Sequence, residues 1–203
     1  FTKKLKEIRR NILLGRDEDF SDNKSARWKN MLLLAFGQKK MFQNPTVAIL
    51  HLIIYGGFII INIEVLEIVL DGLLGTHRLF LPVLGSLYSV LINSFEILAF
   101  AVLLTCVVFL TRRNLLKLKR FISNDLNGWP RSDANNILIT EIVLMGLFLL
   151  MNASDRALQL NQAEGYHETG SFLISGLIAP SLSGLSIGTL QAIERTCWWL
   201  HIL

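Results

Sequence analysis

Four long stretches of this chain, residues 46–63, 79–111, 134–154 and 169–193, carry either no charge or a single acid. A bilayer core about 30 Å thick is crossed by about 20 apolar residues in α-helix. Within hydrocarbon, a helix satisfies its own backbone hydrogen bonds and an open irregular segment does not. Soluble domains usually hold about 25% charged residues, whereas this chain of 203 residues holds 18%, crowded between the apolar stretches. The fold class that follows is all-α: a polytopic transmembrane helical bundle. Four spans are expected near 46–70, 84–111, 135–157 and 186–203, with an extra apolar piece at 172–184.

The charges orient these spans. Residues 1–45 hold eleven Lys and Arg, and residues 112–135 hold six more, so seventeen of the twenty basic residues lie in two segments separated by two spans. The alternate loops, 64–78 and 158–171, contain one, Arg78, against five acids. The positive-inside rule makes the basic side cytoplasmic, which predicts a multi-pass protein of the cell inner (plasma) membrane. Topology signals and lipid contact account for the net charge of +4, and nothing in it calls for a nucleic-acid partner.

Residues 1–45 read as a cytoplasmic amphipathic helical segment, with Phe1, Leu5, Ile8 and Ile12 at helical spacing among lysines and arginines. A polar turn region is expected at 15–25, and a second amphipathic helix over 26–42. Residues 46–203 form the expected bundle. Phe1 is not an initiator methionine, and the chain stops within "CWWLHIL", so the expectation is an internal piece of a longer polypeptide, truncated at both ends. Cys106 and Cys197 are the sole cysteines and fall in different spans, giving neither an iron–sulfur ligand set nor a disulfide framework.

Charge inside a membrane is costly and marks candidate sites. Glu96, in the middle of the second span, and Glu141, in the third, are such candidates. Glu64, Glu67 and Asp71 are expected to be solvated at the outer interface, and Glu194 and Arg195 to pair. "ISGLIAPSLSGLS" (174–186), with Pro180 at its centre, reads as a broken or re-entrant piece. His77 and His167 fall in outer loops and read as solvated. His51 and His201 lie in apolar helix, where a histidine needs a hydrogen-bond partner or a metal. Both readings are open on spacing alone. If the last span starts near Ser186, a rise of about 1.5 Å per residue makes the two rings level; a start near Leu190 does not.

"GQKKMFQNPTVAILHLIIYGGFIIIN" (37–62) resembles the second transmembrane helix of a family of membrane-bound iron–sulfur oxidoreductases. Those proteins carry a cytochrome-b-like domain similar to the nitrate reductase gamma subunit, fused to a domain related to heterodisulfide reductase. The resemblance rests on Gly37, Gln38, Lys39, Lys40, Pro45, His51, Tyr55, Gly56, Gly57 and Phe58. "RRNLLKLKRF" (112–121) with "SDANNIL" (132–138) matches the family's basic loop, and "WWLHIL" (198–203) matches part of its last helix. What the resemblance implies is a bundle of about five spans, one preceding Phe1, that binds haem b between the second and last. His51 and His201 are the candidate ligands of the haem iron, with Arg112 and Arg113 as candidate partners of haem propionates. The domain would carry electrons between membrane quinone and [4Fe–4S] clusters on the cytoplasmic side, held by a domain or subunit beyond this chain.

Two-haem gamma-type subunits carry a second histidine further along the same helix, where this chain has Ile61 and Asn62. The alternative functions are a haem-free membrane anchor or scaffold of a larger envelope complex, and a proton-coupled transporter motivated by Glu96 and Glu141. No inverted repeat supports the transporter.

Overall fold

The computed structural model describes residues 1–16, 22–116, 118 and 126–202. Residues 17–21 of the expected polar turn, the centre of the 112–135 basic loop and Leu203 of the last motif lie outside the described residues. The described chain is helical throughout and divides into two compact units, 1–48 and 49–203.

In the first unit, α1 (Thr2–Ile12) presents every side chain to the surroundings and carries Arg9 and Arg10 in its last turn, where cations favour the helix dipole. Asn23 in the left-handed conformation precedes α2 (Lys24–Ala35). α2 ends where Gly37 must come close to the preceding turn, since a Cβ there would lie 2.8 Å from the Leu33 carbonyl oxygen. A short 3-10 turn (Lys39–Gln43) leads to Pro45, the first residue of α3 (Pro45–Leu74). A helix tolerates proline at that point because its first N–H groups have no intrahelical partner.

The second unit contains most of α3, a single turn α4 (Leu81–Leu84), α5 (Ser86–Asn114), α6 (Trp129–Leu160), α7 (Ser175–Leu182) and α8 (Ile187–Ile202). Helices α3, α5 and α6 are long and apolar enough to cross a membrane. The fourth expected span, 186–203, is a helix of 16 described residues, shorter than a full crossing. The expected broken piece is α7, eight residues long with Pro180 inside it.

One core joins α3, α5, α6 and α8 through Ile61, Ile68, Tyr88, Ile92, Phe95, Val102, Phe148 and Cys197. A second joins α6, α7 and α8 through Ala157, Leu158, Ala179 and Leu190. Small residues bring the helices close. A Cβ on Gly57 would meet Val102 of α5 at 2.6 Å, and one on Gly72 would meet the Trp198 ring of α8 at 2.7 Å. Lipid tails drive no hydrophobic association between helices, so such close contact is what holds a bundle in a bilayer. On α3, Ile49, Leu52, Phe58, Ile59, Ile63, Leu66 and Leu73 are exposed, the surface that hydrocarbon covers in a spanning helix.

Candidate functional site

The polar groups of the bundle gather at its two ends. At one, the acidic end, α3 runs out into the loop carrying Thr76, His77 and Arg78. Asp71 shapes that loop: its carboxylate accepts the Thr76 hydroxyl at 2.6 Å and the backbone N–H groups of Arg78 and Leu79 at 2.9 and 3.1 Å. Arg78 is thereby held at φ 60°, a conformation uncommon for a residue with a side chain.

The Arg78 side chain then turns into the protein. Its Nε and Nη2 donate to Asp155 Oδ2 at 3.1 and 2.7 Å, its Nη1 to Glu64 Oε1 at 3.1 Å, and its Nη2 also to Asn152 Oδ1 at 2.9 Å. Its guanidinium carbon stands 5.7 Å from the centre of the Phe172 ring. Burial works against the cation, but Asp155, Tyr88 and Glu64 outweigh it and hold the Arg78 pKa well above its usual value. The planar fork of arginine suits this task, since it engages several acceptors at once.

Around this hub, Glu67 accepts the Phe80 N–H at 2.7 Å and the Tyr88 hydroxyl at 2.8 Å. Gln159 donates to Asp155 and to Thr169. Glu96 Oε2 accepts the N–H groups of Ile174 and Ser175 at 2.9 and 3.3 Å, at the start of α7, and its Oε1 lies 3.5 Å from Asn152 Nδ2. An acid at a helix N-terminus meets unpaired donors and the positive end of the dipole.

His77 Nε2 lies 3.8 Å from Asp155 Oδ2, and its ring meets that of Tyr166 edge-on at 4.9 Å. Burial pushes the His77 imidazole below its usual pKa despite the pull of Asp155. Tyr166, whose hydroxyl donates to Glu194, is pushed up to about 12 by burial and by Glu194. A cavity of about 30 Å³ lies among Glu67, Asp71, His77, Arg78, Asp155 and Glu194.

These contacts correct two expectations. Glu64 and Glu67 are 0% and 1% exposed, not solvated at an interface, because Arg78 and Tyr88 supply donors inside the bundle. Asp71 is half-buried and accepts from the loop it shapes. His77 is packed against Tyr166 and Asp155 rather than free in water. The expected pairing of Glu194 with Arg195 is present at 3.3 Å. Arg78, the hub, was missed among the candidate residues. Its signal was its being the single basic residue of the two acidic loops.

At the opposite, basic end, Asn114 and Asn135 exchange hydrogen bonds at 3.0 and 3.3 Å, and Arg113 Nε donates to Asn135 Oδ1 at 3.0 Å. Arg112 is half-buried beside them on α5, and Glu141 is half-buried on α6.

The two membrane histidines lie between these ends. His51 is exposed on α3, with its ring centre 5.0 Å from that of Phe109. His201 is half-buried on α8 against Phe148, with Nδ1 3.2 Å from the Leu144 carbonyl oxygen. A carbonyl only accepts, so Nδ1 carries the proton and Nε2 keeps its lone pair. His51 thus packs toward α5 and His201 toward α6.

Among the described residues, no group of three or more His, Cys, Asp or Glu could hold a metal ion, and Cys106 and Cys197 are free and buried.

Over 195 residues, 95% of its length, the chain is 26% identical to a protein of Bacillus subtilis (strain 168) named probable iron-sulfur-binding oxidoreductase FadF. The chain spans about a quarter of that relative's length. No protein-family model matches the chain. No solved structure matches it. The similarity links the chain to an iron–sulfur oxidoreductase, and its spans make that link a membrane one.

Proposed function

We propose that this chain is the haem-b-binding membrane domain of an iron–sulfur oxidoreductase, passing electrons between membrane quinone and iron–sulfur clusters on the cytoplasmic side. The observation that carries the reading is the similarity along nearly the whole chain to a quarter of a protein named as iron–sulfur-binding, combined with His51 on α3, long and apolar enough to cross a membrane, and His201 on the shorter α8. The remaining length of such a relative has room for the cluster ligands that two buried cysteines do not provide. In this reading, residues 1–45 lie at the cytoplasmic surface and 46–203 in the plasma membrane, following the distribution of basic residues.

Two features suit His201 to a haem iron. Its Nδ1–H is anchored on Leu144 O, which fixes the ring and frees Nε2, the second hydrogen bond that metal-bound histidines usually make. Gly146 on α6, near Leu144 in sequence, has open space where a Cβ would be. His51 lies on an exposed apolar surface beside Phe109, and Gly56 there also borders open space. A bound haem would supply one-electron redox chemistry within the bilayer; the chain would hold it, keep water from it and offer Arg112 and Arg113 to its propionates.

The haem-free anchor draws on the same bond, because a Nδ1–H donor on a carbonyl also satisfies a buried histidine without metal. A reduced-minus-oxidised absorption spectrum of the purified chain separates the two. Haem b in the wild type, reduced in His201→Ala and in His51→Ala proteins that still insert, is the expected result. A wild type without a Soret band leaves the anchor.

A further inference from the structure

The carboxylates of the acidic end outnumber their cation. Glu64, Glu67, Glu96 and Asp155 are each at most 1% exposed, and Arg78, which bonds Glu64 and Asp155, is the buried cation near them among the described residues. Four ionised acids against one guanidinium leave a negative excess where water cannot screen it.

Three of the four have the donors that an ionised carboxylate needs. Asp155 accepts two bonds from Arg78 and one from Gln159. Glu96 accepts two backbone N–H groups, and Glu67 accepts Phe80 N–H and Tyr88 O–H. Glu64 has a single bond, from Arg78 to Oε1. Its Oε2 is the buried side-chain oxygen with no hydrogen-bond partner among the described residues.

We propose that Glu64 is a proton-exchanging carboxyl, whose Oε2 takes up and releases a proton at the acidic end of the bundle. The step is the making and breaking of one O–H bond, with the proton drawn from water and returned to it. The neighbouring cavity of about 30 Å³ has room for water; Glu64 is not in its lining, but Glu67, one turn along α3, and Arg78, which bonds Glu64, are. His77 and Arg195, whose side chains are 26% and 54% exposed, also line it. The charged and titratable groups around Glu64 are Glu67 on its own helix, Arg78 in the loop, Tyr88 and Glu96 on α5 and Asp155 on α6; Glu194 and Arg195 of α8 face the cavity. Arg78 favours the ionised form and the three carboxylates oppose it, so added negative charge in the bundle draws a proton onto Glu64.

The physiological role rests on the electron-transfer reading: an electron entering the bundle is balanced by a proton at Glu64. The proton site itself does not depend on it. The test is infrared difference spectroscopy of the full chain in lipid nanodiscs, in H₂O and D₂O, between mildly alkaline and mildly acid pH. The expected result is a protonated-carboxyl C=O band that shifts in D₂O, is lost in Glu64→Gln and persists in Glu67→Gln and Glu96→Gln. Glu64→Asp, which retains a carboxyl should the amide fail to fold, moves the band instead of removing it. A band unchanged in both Glu64 variants, or no Glu64-dependent band at any pH, overturns the proposal. A wild type that lacks haem yet shows the band defeats the electron-transfer reading and supports the proton site. Haem present, with the band indifferent to its reduction, overturns the coupling.

Discussion

The two ends of the bundle hold their polar groups at very different cost. At the basic end, Asn114, Asn135 and Arg113 are half-buried and mostly trade neutral hydrogen bonds. At the acidic end, Arg78 is 6% exposed and ties α3 to α6 through Glu64, Asn152 and Asp155. A neutral amide pair near water contributes little when made and costs little when lost. A buried ion cluster adds little net stability over an apolar one, yet losing one member strands the rest. Stability at the acidic end therefore hangs on a single side chain.

The sharpest way to break that contrast is Arg78→Ala. It leaves Asp155 and Glu64 without their cation and is expected to cost about 3–5 kcal/mol, read from chemical unfolding in bicelles. Equal losses for Arg78→Ala and Asn135→Ala would erase the distinction between the ends. Arg78→Lys keeps the charge but not the fork that reaches Glu64, Asn152 and Asp155 together, and an intermediate loss of about 2 kcal/mol is expected. Tyr88→Phe removes the hydroxyl donor to Glu67 Oε2 and should cost about 1–2 kcal/mol. Asn135→Ala is expected to cost about 1 kcal/mol.

The smallest expected effect is a pH slope. His77 is held below its usual pKa by burial, so the unfolded chain binds its proton first as pH falls. Stability then declines from the unfolded value near 6.5 down to the lower folded pKa and levels off below it. His77→Gln should flatten that part of the unfolding profile. A slope of the same size in the variant would assign it to other groups.

Much of the fold was legible because a bilayer imposes length and apolarity directly on sequence. The stretches at 46–70, 84–111 and 135–157 appear as α3, α5 and α6, each extended by a few residues into the flanking polar sequence. Pro180 and its small neighbours marked the short α7. The site was less legible. Glu64, Glu67 and His77 looked solvated because sequence distance hides what folds back onto them: Arg78 lies 74 and 77 residues from Asn152 and Asp155. Glu96 stood out as an intramembrane acid, but its partners, the first N–H groups of α7, are 78 and 79 residues away.

By itself, the sequence determined that this chain is helical, that it suits a membrane, and that basic and acidic loops alternate along it, since each follows from local composition against a fixed thickness of hydrocarbon. The tertiary structure alone decided which acids are buried and which cation they share. It also decided that His201 bonds to Leu144 and that His51 meets Phe109. Those outcomes depend on helix register and close approach, as at Gly57 against Val102 and Gly72 against Trp198, and apolar periodicity carries no record of which helix a given face will meet.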